Sequence, residues 1–529
     1  MGLAPDRDSN QSPAFEDVNL FTGDAALQDA MAGAVLSARA PELTAFGADW
    51  GSAKSFELGR LANENPPRFV PIDPRGERID RVEFHRAYHA LMGKSMAAGL
   101  HASTWEGAPQ ALRAAQLFMA YQVESGHICP ITMTHAARNA LAFEPELAEQ
   151  WRPSIVSKLY DPRELPWRRK SAVTIGMAMT ERQGGTDLRA TAACARRHGD
   201  RYEITGDKWF MSAPMSDAFL TLAQAQGALT CFLLPRFTDE GAGNGIRLER
   251  LKDKLGDRSN ASSEAAFMSA SAQRVGPEGA GLRTILAMAQ ATRLDCAIAS
   301  AGLMRFGLAH ATHHARHRRA FGRPLIEQPA MRRLLADLAL EVEANTALTM
   351  RLARAIDAAP ESKTERAYAR LLTPAAKFLV CKTAPGFLYE CMECLGGNGY
   401  VEDFPLARAY RQAPVNAIWE GSSSVMALDV LRAAARSPDA AAQIIADLDE
   451  PAVTQGLVDE LRQERSEACA RRTSERLARA AALAALRAAQ PALADAYRRT
   501  RCSEDAGSGW GARDLAGAQS TLIERILPV

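Results

Sequence analysis

The chain has 529 residues, 47% of them hydrophobic and 24% charged, and its formal net charge at pH 7 is +1. This length allows two to four domains with a substantial buried core. A net charge so close to zero excludes a global field that draws the protein to nucleic acid, so any such binding needs a local cluster of charge. Because neither a signal sequence nor a long apolar run occurs, the sequence predicts a cytoplasmic protein that stays off the membrane.

Apolar residues at helical spacing characterise the first part of the chain. Leu112, Leu117 and Phe118 follow such a pattern. We therefore expect an N-terminal helical domain over residues 1–172. The pattern then changes to short β-like segments separated by turns, which predicts a small β domain over residues 173–280.

Long helical patterns return after these β-like segments. Pro329 stands at a first-turn position of one predicted helix, and a C-terminal helical bundle is expected over residues 281–436. Ser437 and Pro438 mark a boundary, beyond which residues 437–529 predict an extra helical domain. The predicted fold class is therefore α+β.

The stretch MAMTERQGGTD, from Met177 to Asp187, is the most informative motif of the chain. An apolar strand that ends in Thr180, Gly184, Gly185 and Thr186 brings hydroxyl groups and free backbone N–H groups to one point. A bound electron-rich ring needs such donors, so the pattern indicates the wall of a cofactor site. The alternative is an ordinary β-turn.

Glu420 is the sharpest single candidate for chemistry. It lies in WEGSSS, before an apolar-periodic helix for which Ser422 or Ser423 is the expected N-cap. Free N–H groups and the positive end of the helix dipole favour an ionised carboxylate at this position, as a general base requires. A glutamate that only complements the helix dipole is the alternative.

The tail after Arg432 has an uneven charge pattern. Residues 439–467 are mostly acidic, whereas residues 471–501 contain eight arginines against two acids. Arg465, Arg472, Arg476 and Arg479 fall on one face of a predicted helix. A basic face exists only if folding segregates the acidic from the basic half, and the alternative is a solvated face with internal Glu–Arg pairs.

Two clusters of potential metal ligands occur in the sequence. His310, His313, His314 and His317 have helical spacing, and Cys391 and Cys394 form a C-x-x-C pair. Arginines interleave with the histidines, and the cysteines lack a second pair, so we expect no metal at either cluster. The histidines are instead expected on a polar helix face at a protomer interface.

Five motifs in chain order resemble the acyl-CoA dehydrogenase family. Besides Met177–Asp187 and NAIWEGSSSVMALDVLR around Glu420, they are KDKLGDRSNASSEAAF, HRRAFGRPLIEQ and CLGGNGY. ELGRLANENPPRF, CPITMT, PVNAIWEG and the tail are most similar to the AidB branch, flavoproteins of the bacterial adaptive response to DNA alkylation. The resemblance implies the acyl-CoA dehydrogenase fold, FAD as cofactor, a homotetramer and acyl-CoA as a further ligand.

The resemblance also assigns cofactor-binding residues by their motif positions. Phe210 takes the place of a stacking tryptophan, and Arg318 is expected on the FAD pyrophosphate of a neighbouring protomer. Gln328 lies one residue earlier than the family's usual glutamine. The complete set is Met179, Thr180, Gly185, Thr186, Phe210, Ser212, Arg318, Phe321, Gln328, Gly396, Gly397, Trp419, Gly421 and Ser422.

By the same resemblance, Glu420 matches a catalytic glutamate that removes the α-proton of an acyl thioester. Trp419 stands where many members have tyrosine, and a larger indole is expected to narrow the acyl pocket. The likeness to AidB implies weak or vestigial dehydrogenase activity. It also implies sequence-independent contact with the phosphates of double-stranded DNA, through Arg432, Arg471, Arg472, Arg476, Arg479, Arg498 and Arg499.

Three functions remain open at this stage. The first is an FAD protein that binds DNA during alkylation stress and protects it or deactivates the alkylating agent. The second is a working acyl-CoA dehydrogenase whose tail is structural. The third is a flavin oxidase or monooxygenase on the same fold.

Overall fold

The computed structural model describes residues 10–33, 37–462, 466–503, 509–515 and 517–527. Its contacts divide the chain into two compact units, which are described separately. The sheet unit comprises Lys54–Pro109 and Val123–Asp295. The helical unit comprises Met1–Ala53, Gln110–Gln122 and Cys296–Val529. This division by contacts does not test the four predicted segments, which therefore stay a prediction.

The sheet unit contains a seven-stranded sheet. Its strands are β3 (Ile175–Ala178), β4 (Cys194–His198), β5 (Arg201–Ser212), β6 (Ala218–Ala225), β7 (Ala228–Pro235), β8 (Ile246–Leu251) and β9 (Ser262–Val275). Their order is β3-β5-β4-β6-β7-β9-β8, and β3 also pairs with β6 and β5 with β9. Alternating side chains such as Phe219, Phe232 and Phe267 form the buried core of the sheet, as the period-two pattern predicts.

Helices and a hairpin complete the sheet unit. The hairpin pairs β1 (Arg68–Ile72) with β2 (Arg78–Glu83) in antiparallel register. The helices are Ala53–Glu64, Arg86–Ala97, Ile128–Leu141 and Pro145–Ile155, with short 3-10 turns at Ser103–Glu106, Trp167–Arg169 and Leu188–Ala190. The long helix Gly281–His317 belongs to this unit up to Asp295 and to the helical unit from Cys296 onward.

The helical unit is built around long helices joined by tight connections. Pro329 lies in the first turn of the helix Pro329–Ala358, as predicted. The other helices before the tail are Ala25–Ala30, Ala40–Trp50, Gln110–Tyr121, Lys363–Cys394, Gly397–Tyr400, Pro405–Asn416 and Ser423–Arg436. A two-residue hairpin joins β10 (Arg319–Ala320) to β11 (Arg323–Pro324), followed by a 3-10 turn at Leu325–Glu327.

The tail forms additional helices that pack into the helical unit. They are Pro438–Asp447, Pro451–Thr454, Leu457–Arg462, Ser466–Ala489, Pro491–Arg501 and Gln519–Ile526. Leu477, Leu483 and Leu486 are fully buried, and their helix contacts Pro329–Ala358 and Ser423–Arg436. The tail therefore contributes to the core of this unit. Among the described helices, none is long and apolar enough to cross a membrane.

Candidate functional site

Strands β3 and β5 leave one face of the sheet partly open. Ala178 lies opposite Met211 in the antiparallel register, and both side chains are in the core. Because side chains alternate along a strand, Phe210 and Ser212 on β5 point to the other face, and Met179 directly follows the last residue of β3. Phe210 is 45% exposed, and the other two are half-buried. The structure thus brings these three predicted residues together on one surface.

The turn that follows β3 borders this surface. The Thr180 carbonyl accepts a hydrogen bond from the Trp209 backbone N–H at 2.8 Å, which ties the turn to β5. A Cβ added at Gly185 would lie 2.7 Å from the Thr180 hydroxyl, so glycine permits this close approach. Thr186 is exposed. Thr180, Gly185 and Thr186 therefore belong to the same predicted group as the β3–β5 face.

A buried ion pair that the sequence analysis missed supports the turn. Glu181 accepts a 2.7 Å hydrogen bond from Lys208, and both side chains are buried. Its carboxylate also accepts the backbone N–H groups of Ala192 and Ala193, at 2.7 and 3.2 Å. Burial alone would raise the pKa of Glu181, but the Lys208 ammonium and these hydrogen bonds lower it. The available signal was a lysine directly before the apolar strand residues Trp209, Phe210 and Met211.

Cations surround the Trp209 ring beside this face. The Lys252 ammonium lies 3.4 Å from the ring centroid and also pairs with Glu264 at 2.6 Å. The Arg182 guanidinium lies 5.4 Å from the same ring. Cation–π contacts of this kind orient an aromatic side chain at a partly exposed site.

In the helical unit, Glu420 has a strained backbone. Its φ of 59° is in the left-handed region, which is uncommon for a residue with a Cβ and is frequent at functional sites. Gly421 follows with φ 104°, and Lys377 donates a 2.8 Å hydrogen bond to its carbonyl. Trp419 donates from its indole N–H to Asn416 Oδ1 at 3.1 Å. These bonds hold the two neighbours of Glu420 in place.

The helix after Glu420 begins at Ser423, with Ser422 at the N-cap position. One of the two predicted capping residues is therefore correct in position, although the Ser422 side chain makes no capping hydrogen bond. The Ser422 carbonyl accepts the first helical bond, from the Met426 N–H at 2.9 Å. Glu420 thus lies at the positive end of the helix dipole, as expected.

Arg318 directly precedes the β10–β11 hairpin, and Phe321 lies in its turn. Phe321 and Gly322 occupy its two-residue turn with φ 51° and 83°, a combination that matches a type I′ turn. The Phe321 ring is 97% exposed. Arg318 donates to the Asn10 carbonyl at 2.7 Å, and Gln328 donates to the Ala320 carbonyl at 2.9 Å.

Gln11, next to Asn10, makes a hydrogen bond beside the other predicted glycines of this unit. Asn398 donates from its amide to Gln11 Oε1 at 2.9 Å, next to Gly397 and Gly396. Among the fourteen cofactor residues, the structure thus forms one group on the sheet unit and two on the helical unit. The hairpin and the glycine turn are linked by residues 10–11, and the segment from Trp419 to Ser422 is the other group.

The histidines contact the N-terminal segment of their own chain. Ser12 Oγ lies 3.0 Å from His314 Nδ1, and His313 Nε2 lies 2.9 Å from the Pro13 carbonyl. Burial lowers the pKa of His310 to about 3. Within the described ranges, no three His, Cys, Asp or Glu residues are grouped to hold a metal ion. The expected location at a protomer interface stays a prediction.

Two of the predicted DNA-binding arginines are engaged inside the tail. Arg476 pairs with Glu460 and donates to the carbonyls of Val453 and Gln455, at 3.1 and 2.8 Å. Arg479 pairs with Glu475 at 2.9 Å. Glu460 belongs to the acidic half of the tail, so folding pairs the two halves instead of segregating them.

Other predicted arginines stay near the surface. Arg432, Arg471, Arg472 and Arg499 are exposed, whereas Arg498 is half-buried and contacts Asp495 at 3.0 Å. Arg465, predicted on the same face, lies outside the described residues. The continuous basic face expected from helical spacing is therefore reduced to separate exposed side chains.

Comparisons with known proteins agree with this geometry. The AidB N-terminal domain model matches residues 10–162, and the acyl-CoA dehydrogenase middle and C-terminal domain models match residues 176–270 and 279–435. The AidB protein of Escherichia coli (strain K12) is 46% identical over 429 residues, which cover 80% of this chain and 79% of that protein. The chain belongs to the AidB branch of the acyl-CoA dehydrogenase family.

Solved structures share the fold of this AidB-type chain. The Caenorhabditis elegans ACDH-11 structure, in complex with C11-CoA, has a TM-score of 0.84 at 26% identity and covers 96% of this chain and 95% of its own. A Bacillus anthracis acyl-CoA dehydrogenase, complexed with FAD, has a TM-score of 0.66 at 15% identity, with 83% and 86% covered. The predicted fold is confirmed. The chain is an AidB-type, acyl-CoA dehydrogenase-like flavoprotein, and the prediction of FAD is also confirmed by the family.

Proposed function

We propose that the open β3–β5 face holds the FAD isoalloxazine. The observation that carries this proposal is the convergence of Met179, Thr180, Phe210 and Ser212 on one partly exposed surface. An aromatic ring, a thioether and two hydroxyls can contact a planar, hydrogen-bonding ring. When bound, FAD supplies the acceptor for a hydride.

The chain's own residues prepare this surface. The Glu181–Lys208 pair fixes the turn that carries Gly185 and Thr186, so their backbone N–H groups are held in position before a ligand arrives. Arg318, on an exposed hairpin, suits a pyrophosphate because a guanidinium donates two parallel hydrogen bonds. In a homotetramer, this hairpin would present the Phe321 ring to a neighbouring protomer.

We propose Glu420 as the general base. A carboxylate at a helix N-terminus is held ionised by the helix dipole and can accept the α-proton of an acyl thioester. The strained φ of Glu420 supports this role, because structures keep such backbone where function requires it. Trp419, held by Asn416, would narrow the space beside the base, which agrees with a weak dehydrogenase.

The cofactor and base assignments are tested on purified protein. Heat should release FAD and not FMN, and Arg318→Ala should weaken FAD retention. Glu420→Gln should abolish flavin bleaching by an acyl-CoA panel while the visible spectrum stays unchanged, since the amide fills the same space but cannot accept the proton. Unchanged bleaching in Glu420→Gln would remove this residue from the mechanism.

We further propose that the protein binds double-stranded DNA in the response to alkylation damage. The support is the AidB relationship and the exposure of Arg432, Arg471, Arg472 and Arg499. Contacts to phosphates make affinity fall with salt at a log–log slope of about −0.9 per neutralised phosphate. A duplex gel shift at several salt concentrations measures this slope, and a slope near zero would contradict the proposal.

A working acyl-CoA dehydrogenase with a structural tail is the second candidate. Two observations favour it, namely the retained Glu420 and the packing of the tail into the helical core. The same two experiments, flavin bleaching and DNA binding, distinguish the two candidate functions. Fast bleaching by one acyl-CoA together with absent DNA binding supports the second, and DNA binding with slow bleaching supports the first.

A further inference from the structure

A cavity of about 460 Å³ lies within the sheet unit, and none of the residues assigned to FAD or to catalysis lines it. Its inner wall is apolar and buried, formed by Met92 and Met96 of the helix Arg86–Ala97 and by Val173 before β3. Exposed residues such as Arg81 line its outer part. Pockets of this size, apolar with a few convergent polar groups, are typical of small-molecule sites.

A buried ion pair projects into this cavity. Lys170 Nζ lies 2.5 Å from Asp217 Oδ1, and the Lys170 side chain is only 5% exposed. The other Asp217 oxygen accepts the Thr174 backbone N–H at 2.8 Å. Of the three protons on the ammonium, this contact with Asp217 satisfies one, and Lys170 makes no other hydrogen bond among the described residues. Because a buried donor without an acceptor is costly, an acceptor oxygen inside the cavity would be stabilised there.

The carboxylates of the cavity wall already have cationic partners. Asp161 accepts from Arg163 and from the Ser171 backbone and side chain. Glu164 is shared by two guanidiniums, Arg81 at 2.8 Å and Arg236 at 2.7 Å. These acids therefore have little capacity left for a cationic ligand.

The carboxylates of the wall are all paired with cations. The wall contains four carboxylates, and the ion pairs bring five cations to them: Arg68 to Glu83, Arg163 to Asp161, Lys170 to Asp217, and both Arg81 and Arg236 to Glu164. Of these five cations, Lys170, Arg81 and Arg236 line the cavity, and each wall carboxylate is engaged by at least one cation. His89 does not change this count, because burial lowers its pKa and keeps the ring neutral.

We propose that this cavity binds a small carboxylic acid with an unbranched apolar chain. The carboxylate accepts hydrogen bonds from Lys170 and Arg236, and the chain lies along Met92, Met96 and Val173. The hydrogen-bonded pair of His89 and Tyr160, with 2.8 Å between Nδ1 and the hydroxyl, lines the same space and stays uncharged. This site is separate from the proposed flavin and DNA functions and does not depend on them.

The test is calorimetric titration of the full FAD-loaded protein with straight-chain alkanoates of four to ten carbons. Affinity should rise roughly fourfold for each added methylene until the apolar wall is covered. Alkylamines of the same lengths should not bind, because every wall carboxylate already has a cationic partner and the Lys170 ammonium repels a second one. Absence of alkanoate binding at millimolar concentration, or equal binding of amines, would overturn the proposal.

Two variants connect binding to the named residues. The double variant Lys170→Met/Asp217→Asn removes the ammonium without leaving a buried charge and should weaken binding about tenfold or more. Arg236→Gln, which leaves Glu164 paired with Arg81, should also weaken binding and decides the matter if the double variant misfolds. Arg68→Gln is the matched control, since this arginine bonds a wall acid from outside the cavity. Wild-type affinity in both cavity variants would refute the site.

Discussion

The turn after β3 and the arginine tail use their charged residues in opposite ways. At the turn, Glu181 and Lys208 of β5, which were not predicted to bind a ligand, are buried as an ion pair. The predicted ligand-binding residues remain partly or fully exposed. In the tail, two arginines chosen as ligand-binding residues, Arg476 and Arg479, form internal ion pairs. The short side chains of Thr180 and Ser212 thus point where the turn and the strand direct them, whereas the exposure of Arg476 and Arg479 depends on which acids lie beside their helix.

The physical reason is side-chain length and freedom. Strand alternation and a tight turn decide where a short side chain such as Thr180 or Ser212 points. An arginine on a helix can reach any acid within several ångströms, and pairing it inside the protein satisfies its five donors. A stretch of arginines therefore predicts a basic surface only when the neighbouring acids are known to lie elsewhere.

The largest expected effect is that of removing a fully buried tail arginine. Arg501 pairs with Asp337 at 2.7 Å and Glu341 at 2.6 Å, and all three side chains are buried. Arg501→Met leaves two uncompensated carboxylates and should lower the free energy of unfolding by about 4 kcal/mol. Urea denaturation measures this loss. The exposed Arg499, paired with Asp495 at 2.8 Å, is the control, and Arg499→Met should change stability by less than about 0.5 kcal/mol.

A smaller loss of stability is expected when the Glu181–Lys208 ion pair beside the turn after β3 is broken. Lys208→Met leaves Glu181 buried, but the backbone N–H groups of Ala192 and Ala193 still stabilise its charge. We expect a loss of about 3 kcal/mol, accompanied by faster FAD release because the turn loosens. The double variant Lys208→Met/Glu181→Gln should recover most of the stability. If FAD release is unchanged in the single variant, the turn does not hold the cofactor.

A buried network in the sheet unit makes the stability of the protein depend on pH. Burial raises the pKa of Asp257 to about 6, although Ser125 donates a hydrogen bond to it at 2.5 Å. A raised carboxyl pKa means that stability is lost as pH rises through the range from 3.8 to about 6. Between pH 3.8 and about 6, this loss of unfolding free energy amounts to about 3 kcal/mol, and Asp257→Asn should remove it.

Glu124 provides the opposite sign in the same network. Burial opposes its ionisation, but His127 and Ser259 lower its pKa to about 2, so its contribution is lost as pH falls through the range from 4.5 to about 2. Denaturation of wild type and Asp257→Asn at pH 4, 5 and 6 separates the two groups. Parallel stability curves for the two proteins would contradict a raised Asp257 pKa.

The smallest effects distinguish two arginines on one tail helix. The Arg476 side chain is 32% exposed and that of Arg472 is 66% exposed, although both approach Glu460. Arg476→Gln should cost about 1 kcal/mol of stability, because two backbone carbonyls also lose their donor. Arg472→Gln should leave stability unchanged and flatten the salt slope of DNA binding by about 0.9. The reverse pattern would show that the exposed arginine is structural.

The sequence by itself determined the family, the fold class, the cofactor and the location of Glu420 before a helix. The family and the cofactor follow from the resemblance of five motifs, whereas turn residues, strand alternation and helix starts are local features encoded within a few neighbouring positions. Pro329 in the first turn and Ser422 at the N-cap are examples. Only the tertiary structure decided which charges remain available. Glu181 pairs with Lys208 and Arg476 pairs with Glu460, although the partners lie many residues apart in the sequence. Local sequence patterns do not predict such pairs, because an ion pair depends on which elements fold against each other.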